Sequence, residues 1–124
     1  MPKVGRRLLI AAVVAVVGAL AIASVVSAAT TKKLSASKTK LAFNTKTIRV
    51  KLPSDRKVTL VMANPSSFPH AIAVDGHGID KDGKTVNKGG TSRVTVKLKK
   101  GTYTFYCPVD GHKAAGMKGK LIVS

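Results

Sequence analysis

From residue 48 onward the apolar side chains of this sequence recur at every second position, in short runs separated by turn formers. Ile48, Val50 and Leu52 share one parity, as do Val58, Leu60 and Met62, then Ile72 and Val74, then Val94, Val96 and Leu98, then Tyr103 and Phe105, and finally Leu121 and Val123. Successive side chains of a strand point to opposite faces, so a period of two means strands with one buried face. Pro53-Ser54-Asp55, Asn64-Pro65-Ser66-Ser67 and Gly101 supply the breaks. Lys and Thr fill the opposite parity, most plainly in TSRVTVKLKK, which leaves one face wet. The pattern predicts an all-β fold, a small antiparallel sandwich or barrel without internal repeats. Composition agrees: all five acids are Asp and none is Glu, which a helix-rich domain would use freely.

The first 29 residues are of another kind. Met1 to Arg7 is basic, Leu8 to Val26 is an unbroken run of 19 apolar and small residues, and Ser27-Ala28-Ala29 follows. This is the layout of an export signal with a small-residue cleavage site after Ala28 or Ala29. The run is also long enough to cross a bilayer as a retained helix. Residues 1–29 are therefore expected to be a signal peptide or an N-terminal membrane anchor. With the cations on its N-terminal side, either places the folded part outside the cytoplasm, periplasmic, extracellular or membrane-anchored. Thr30 to Lys40, TTKKLSASKTK, shows no clear period and reads as a polar linker, leaving residues 41–124 as the domain.

Without Lys3, Arg6 and Arg7 the remainder keeps 19 of the 22 basic side chains against all five acids, a balance of +14. That is enough for association with anionic partners. Nucleic acid is not the expected one, because aromatics are few and the lysines are spread along the wet faces of several strands, with no stacking groove. The part after residue 29 is too short for a large α/β barrel. It also shows no carboxylate pair or nucleophile–base pair that would mark a hydrolase, so no enzyme activity is expected.

The chemistry lies in two segments. Cys107, the single cysteine, ends an alternating strand in GTYTFYC, and Pro108, Asp110, Gly111 and Gly116 then loop the chain before the last strand. His112 follows Cys107 by five residues and Met117 follows His112 by five, a spacing that lets a loop gather thiolate, imidazole and thioether in one space. His70, after NPSSFP, supplies the second imidazole. Exported small domains normally pair their cysteines, and an unpaired one beside such neighbours is better explained as a ligand. Two His, one Cys and a weak distant Met suit one copper ion cycling between Cu(I) and Cu(II). His77, between glycines in DGHGIDKDG, is a spare imidazole. Asp80-Lys81-Asp82-Gly83 has part of a calcium loop but lacks the closing Glu, and reads as a solvated turn.

GTYTFYC followed by GH and GMKG, together with NPSSFPHAIAV, resembles the two ligand segments of the cupredoxins, the plastocyanin- and azurin-like blue copper proteins. The loop spacing is more similar to auracyanin or rusticyanin than to plant plastocyanin. The resemblance implies an eight-stranded cupredoxin-like Greek-key β-sandwich with copper at one end, held by His70, Cys107, His112 and Met117. It departs from the family at Ala71 and Pro108, where Asn and Ser or Thr usually tie the two segments together. The backbone amides of Ala71 and Val109 remain available to the Cys107 sulfur, whereas Pro108 has none to give.

The expected function is single-electron transport between a donor and an acceptor redox protein. Pro69, Ala114 and Ala115 would form a small apolar docking surface around His112. The basic charge predicts an acidic docking surface on the partner, or an anionic membrane surface, and the chain is expected to be a monomer. The competing reading is copper handling or sequestration through the same residues without redox turnover.

Overall fold

The structure, a computed structural model, describes residues 30–124; the expected signal or anchor segment lies outside the described residues. Eight strands form: β1 (Thr30–Ser35), β2 (Thr47–Val50), β3 (Lys57–Ala63), β4 (Ala73–Gly76), β5 (Ile79–Asp82), β6 (Thr91–Lys97), β7 (Gly101–Tyr106) and β8 (Lys118–Val123). They make a three-stranded sheet, β1-β3-β6, and a five-stranded sheet, β2-β8-β7-β4-β5. No helix occurs among the described residues.

The inward parity is the one read from the sequence. In β6, Ser92, Val94 and Val96 are buried while Thr91, Arg93, Thr95 and Lys97 face solvent. Val58, Leu60 and Met62 of β3 oppose Phe105 of β7 and Leu121 of β8 in one apolar cluster between the sheets. Each such side chain contributes about 1.5–3 kcal/mol through burial, set against the entropy of ordering the chain. Leu52 is the member of the alternating set that stays half-buried, beyond the end of β2.

Two expectations need correction. The linker expected over residues 30–40 is largely β1, which pairs in parallel with β3 from Thr30↔Val58 to Ser35↔Ala63 and buries Leu34 and, just beyond it, Ala36. One large apolar residue in eleven leaves no visible period, but an edge strand gains its ladder hydrogen bonds from the backbone and tolerates Lys and Thr outward. Among the described residues, Thr30 to Ser35 thus pack as part of the sandwich. The sandwich is also mixed, since β1–β3 and β2–β8 are parallel. Parallel neighbours need long crossovers and leave no hairpin signature in the sequence.

The topology gives the molecule two distinct ends. β3 delivers the chain to the segment before His70, and β7 delivers it to Cys107, at the same end. The turns at residues 51–56 and 98–100 and the β4–β5 turn at residues 77–78 lie at the other.

Candidate metal centre

The loop from Cys107 to Met117 is closed by its own backbone. Cys107 N donates to Met117 O (3.0 Å), Met117 N to His112 O (3.0 Å) and His112 N to Val109 O (3.0 Å). Gly116 makes the last bend with φ 105°, a region that a Cβ-bearing residue enters only with strain. The loop therefore presents Cys107 and His112 inward, and it buries Met117 fully in the same apolar cluster as Cys107.

His70 arrives differently. It forms an isolated two-way bridge with Val86, His70 N to Val86 O at 3.1 Å and Val86 N to His70 O at 2.8 Å. The preceding turn is organised by Asn64, which is 1% exposed. Its Nδ2 donates to Phe68 O and Val86 O, both at 2.9 Å, and its Oδ1 accepts from Ser66 N at 2.9 Å. Its backbone is also tied, N to Gly90 O and O from Gly89 N. Asn64 thus joins the turn, the Val86 bridge and the 86–90 loop. Its place in Asn-Pro-Ser-Ser reads as a turn former in the sequence, and only burial reveals the brace.

These two segments bring His70, Cys107 and His112 into one group whose ligand atoms all lie within 4.8 Å of one another. Cys107 Sγ is 3.7 Å from His70 Nδ1 and 3.5 Å from His112 Nδ1, and the two Nδ1 atoms are 3.2 Å apart. Three donors bound at about 2.0–2.3 Å around one ion in a trigonal arrangement must stand roughly 3.5 Å from each other. The observed separations meet that requirement. His70 and Cys107 are buried and His112 is half-buried, so the group is shielded yet reaches the surface at one ring. Burial, and next the neighbouring His112, hold the His70 imidazole below its ordinary pKa. A neutral imidazole is the ligating form. The donor chemistry and the spacing fit copper.

Among the described residues, the sulfur has the two imidazoles as its polar neighbours, and neither the Ala71 nor the Val109 amide reaches it. The inter-segment tether missing at Ala71 and Pro108 is thus not replaced at the sulfur, and the His70 side relies on Asn64. His77 lies at the opposite end, exposed, with its ring 4.8 Å from that of Tyr103, and takes no part.

A second cluster escaped the sequence reading. Asp80 and Asp82 lie on β5, exposed to solvent but within reach of a tyrosine: Tyr106 Oη donates to Asp80 Oδ1 at 2.6 Å, with Asp82 Oδ1 at 3.5 Å. Burial and then the Asp80 hydrogen bond raise the Tyr106 pKa well above its ordinary value. Lys113 Nζ sits 4.0 Å above the ring and 2.8 Å from Asp75 Oδ2. The two-residue spacing of Asp80 and Asp82, which puts both on one strand face, was the available signal.

Several residues next to the ligands in sequence are small or apolar and exposed. Pro69, Ala114 and Ala115 are exposed, and Phe68, at 55% exposure, is the one large exposed hydrophobic among the described residues.

Comparison with known proteins agrees with this geometry. Residues 30–124 match the copper binding proteins of the plastocyanin/azurin family. The chain is 31% identical over 83 residues to plastocyanin of Mercurialis perennis, covering 59% of this chain and 80% of that protein. It is 34% identical over 74 residues to plastocyanin of Rumex obtusifolius, covering 52% and 73%. In fold it is similar to reduced auracyanin from the photosynthetic bacterium Roseiflexus castenholzii, with TM-score 0.67 at 24% identity over 77% of this chain and 97% of that one. The match runs from the first residue of β1 to the end of β8 and takes in the His-Cys-His group, so the chain belongs to the plastocyanin/azurin family of blue copper proteins.

Proposed function

We propose that the protein is an exported single-electron carrier that holds one copper ion and exchanges electrons with redox proteins at its His112 end. The observation that carries this reading is the His70–Cys107–His112 group, with two buried members and one half-exposed ring. Copper, when bound, supplies a one-electron couple between Cu(I) and Cu(II). Cys107 contributes the thiolate, and His70 and His112 the neutral imidazoles. Met117 would add a weak thioether donor; its full burial beside Cys107 and its backbone bonds to Cys107 and His112 support that role. Two sheets and two braced segments keep these donors from moving, and small displacement is what a low barrier to electron exchange requires.

His112 and the surface of Phe68, Pro69, Ala114 and Ala115 form the contact with the partner, where a small apolar face permits brief docking. The excess of exposed lysines favours an acidic partner surface and speeds encounter at low salt. The apolar run at residues 8–26 supports export, with that run either removed or retained as the anchor.

Protein-film voltammetry of the copper-loaded protein tests the proposal. A reversible one-electron wave, with exchange to an acidic redox protein that slows steeply as salt rises, is expected. A site that binds copper without a reversible wave, and gives its copper up readily to a chelator, would favour copper handling instead.

A further inference from the structure

The register of β1 decides which end of the sandwich faces a membrane. β1 runs parallel to β3 and pairs Thr30 with Val58, one residue from the start of β3. β3 ends beside Asn64, at the metal end, so Thr30 lies at the opposite end. The apolar run of the sequence stops at Val26. From Val26 to Thr30 are four Cα steps, which span at most about 14 Å when fully extended. The headgroup layer accounts for about 5–8 Å of that reach. β1 itself carries the chain about 20 Å from Thr30 toward the metal end. A retained residue 8–26 segment therefore leaves too little slack for the metal end to take the place of the Thr30 end at the bilayer.

The end that is held there is basic. Lys51, Arg56, Lys57, Lys97, Lys99 and Lys100 are all exposed on its turns and strand ends, and Asp55 is the one acid among them. Three of the five acids, Asp75, Asp80 and Asp82, are gathered instead on the β4–β5 flank around Tyr106 and Lys113. The metal end carries exposed cations as well, Lys38, Lys40, Lys84 and Lys88, so an anionic surface would attract either end within a Debye length of about 8 Å at physiological salt, and it is the short reach from Val26 that selects the first group.

We propose that the end of the sandwich formed by Lys51, Arg56, Lys57, Lys97, Lys99 and Lys100 docks on anionic lipid, so that the protein stands on the membrane with its His70–Cys107–His112 group facing away from it. This rests on residues 8–26 being retained as the anchor. The consequence is that the redox partner must meet the protein from the aqueous side, at a height above the bilayer set by the length of the strands.

The test uses the full chain reconstituted in vesicles of phosphatidylcholine alone and of phosphatidylcholine with phosphatidylserine. A membrane-impermeant amine reagent is added outside, and each lysine is read by mass spectrometry. Lys51, Lys57, Lys97, Lys99 and Lys100 should be labelled at least about threefold less on the anionic vesicles, while Lys84 and Lys88 of the metal end keep their reactivity. The triple variant K97Q/K99Q/K100Q should restore labelling of Lys51 and Lys57, and K84Q/K88Q should not. Equal labelling on both lipids, or protection of Lys84 and Lys88, would overturn the orientation while leaving the anchor and the metal site intact. A chain that fails to float with either vesicle would overturn the anchor, and with it this proposal, without touching the copper reading.

Discussion

The two segments that meet at the metal centre are held by opposite means. The 107–117 loop is self-contained: Cys107, His112 and Met117 are spaced five and five along one stretch, and its closure consists of backbone bonds among its own residues. The 64–70 segment borrows its shape from elsewhere, through one buried amide and a bridge to Val86, 16 residues further along the chain. A ligand loop of the first kind tolerates side-chain change at many positions. One of the second kind concentrates its dependence on a single residue.

That contrast can be broken most sharply at Asn64. Asn64→Ala removes three hydrogen bonds, leaving the buried Ser66 amide and the part-buried Phe68 carbonyl without that partner, at about 1–3 kcal/mol for each group left unsatisfied. A loss of about 3 kcal/mol in chemical denaturation is expected, together with weaker copper retention as His70 loses its anchor. An Asn64→Ala variant as stable and as copper-tight as the parent would erase the distinction between the segments. In the other segment, Gly116→Val should cost about 1–2 kcal/mol, because open space surrounds its missing Cβ and only the backbone angle resists. It should keep the blue colour, and losing the colour would show that this loop, too, hangs on one position.

Met117→Leu comes next. The closure uses the backbone of residue 117, so the loop should hold and copper should stay bound, while the potential rises because a donor to the cupric form has gone. A variant that lost its copper would make Met117 a structural ligand. The smallest effect is expected at the far end: His77→Ala removes a ring contact with Tyr103, worth under about 1 kcal/mol, and should leave spectrum and potential unchanged.

The same division explains what could be read in advance. Val94, Val96 and Leu98 announce their strand because water on one side and core on the other impose a period of two. Cys107 and His112 were legible because their chemistry and spacing lie within one loop. β1 was not, since Leu34 is its one large buried side chain and its stability comes from backbone pairing that any sequence can make. Nor was Asn64, whose composition fits an exposed turn as well as a buried brace. The parallel pairing of β2 with β8 depends on crossovers that no local pattern records. Asp80 and Asp82 are solvated as read, but they lie on a strand and not in a turn, and their contact with Tyr106, more than 20 residues away, leaves no local signal.

The most direct test of the account is the visible spectrum of the protein with added cupric ion, compared with that of Cys107→Ser. A single copper per chain with intense thiolate-to-copper absorption, abolished by Cys107→Ser and by His70→Ala but kept in His77→Ala, is the predicted result. An absorption that survives Cys107→Ser, or that depends on His77 and not on His70, would contradict the site described.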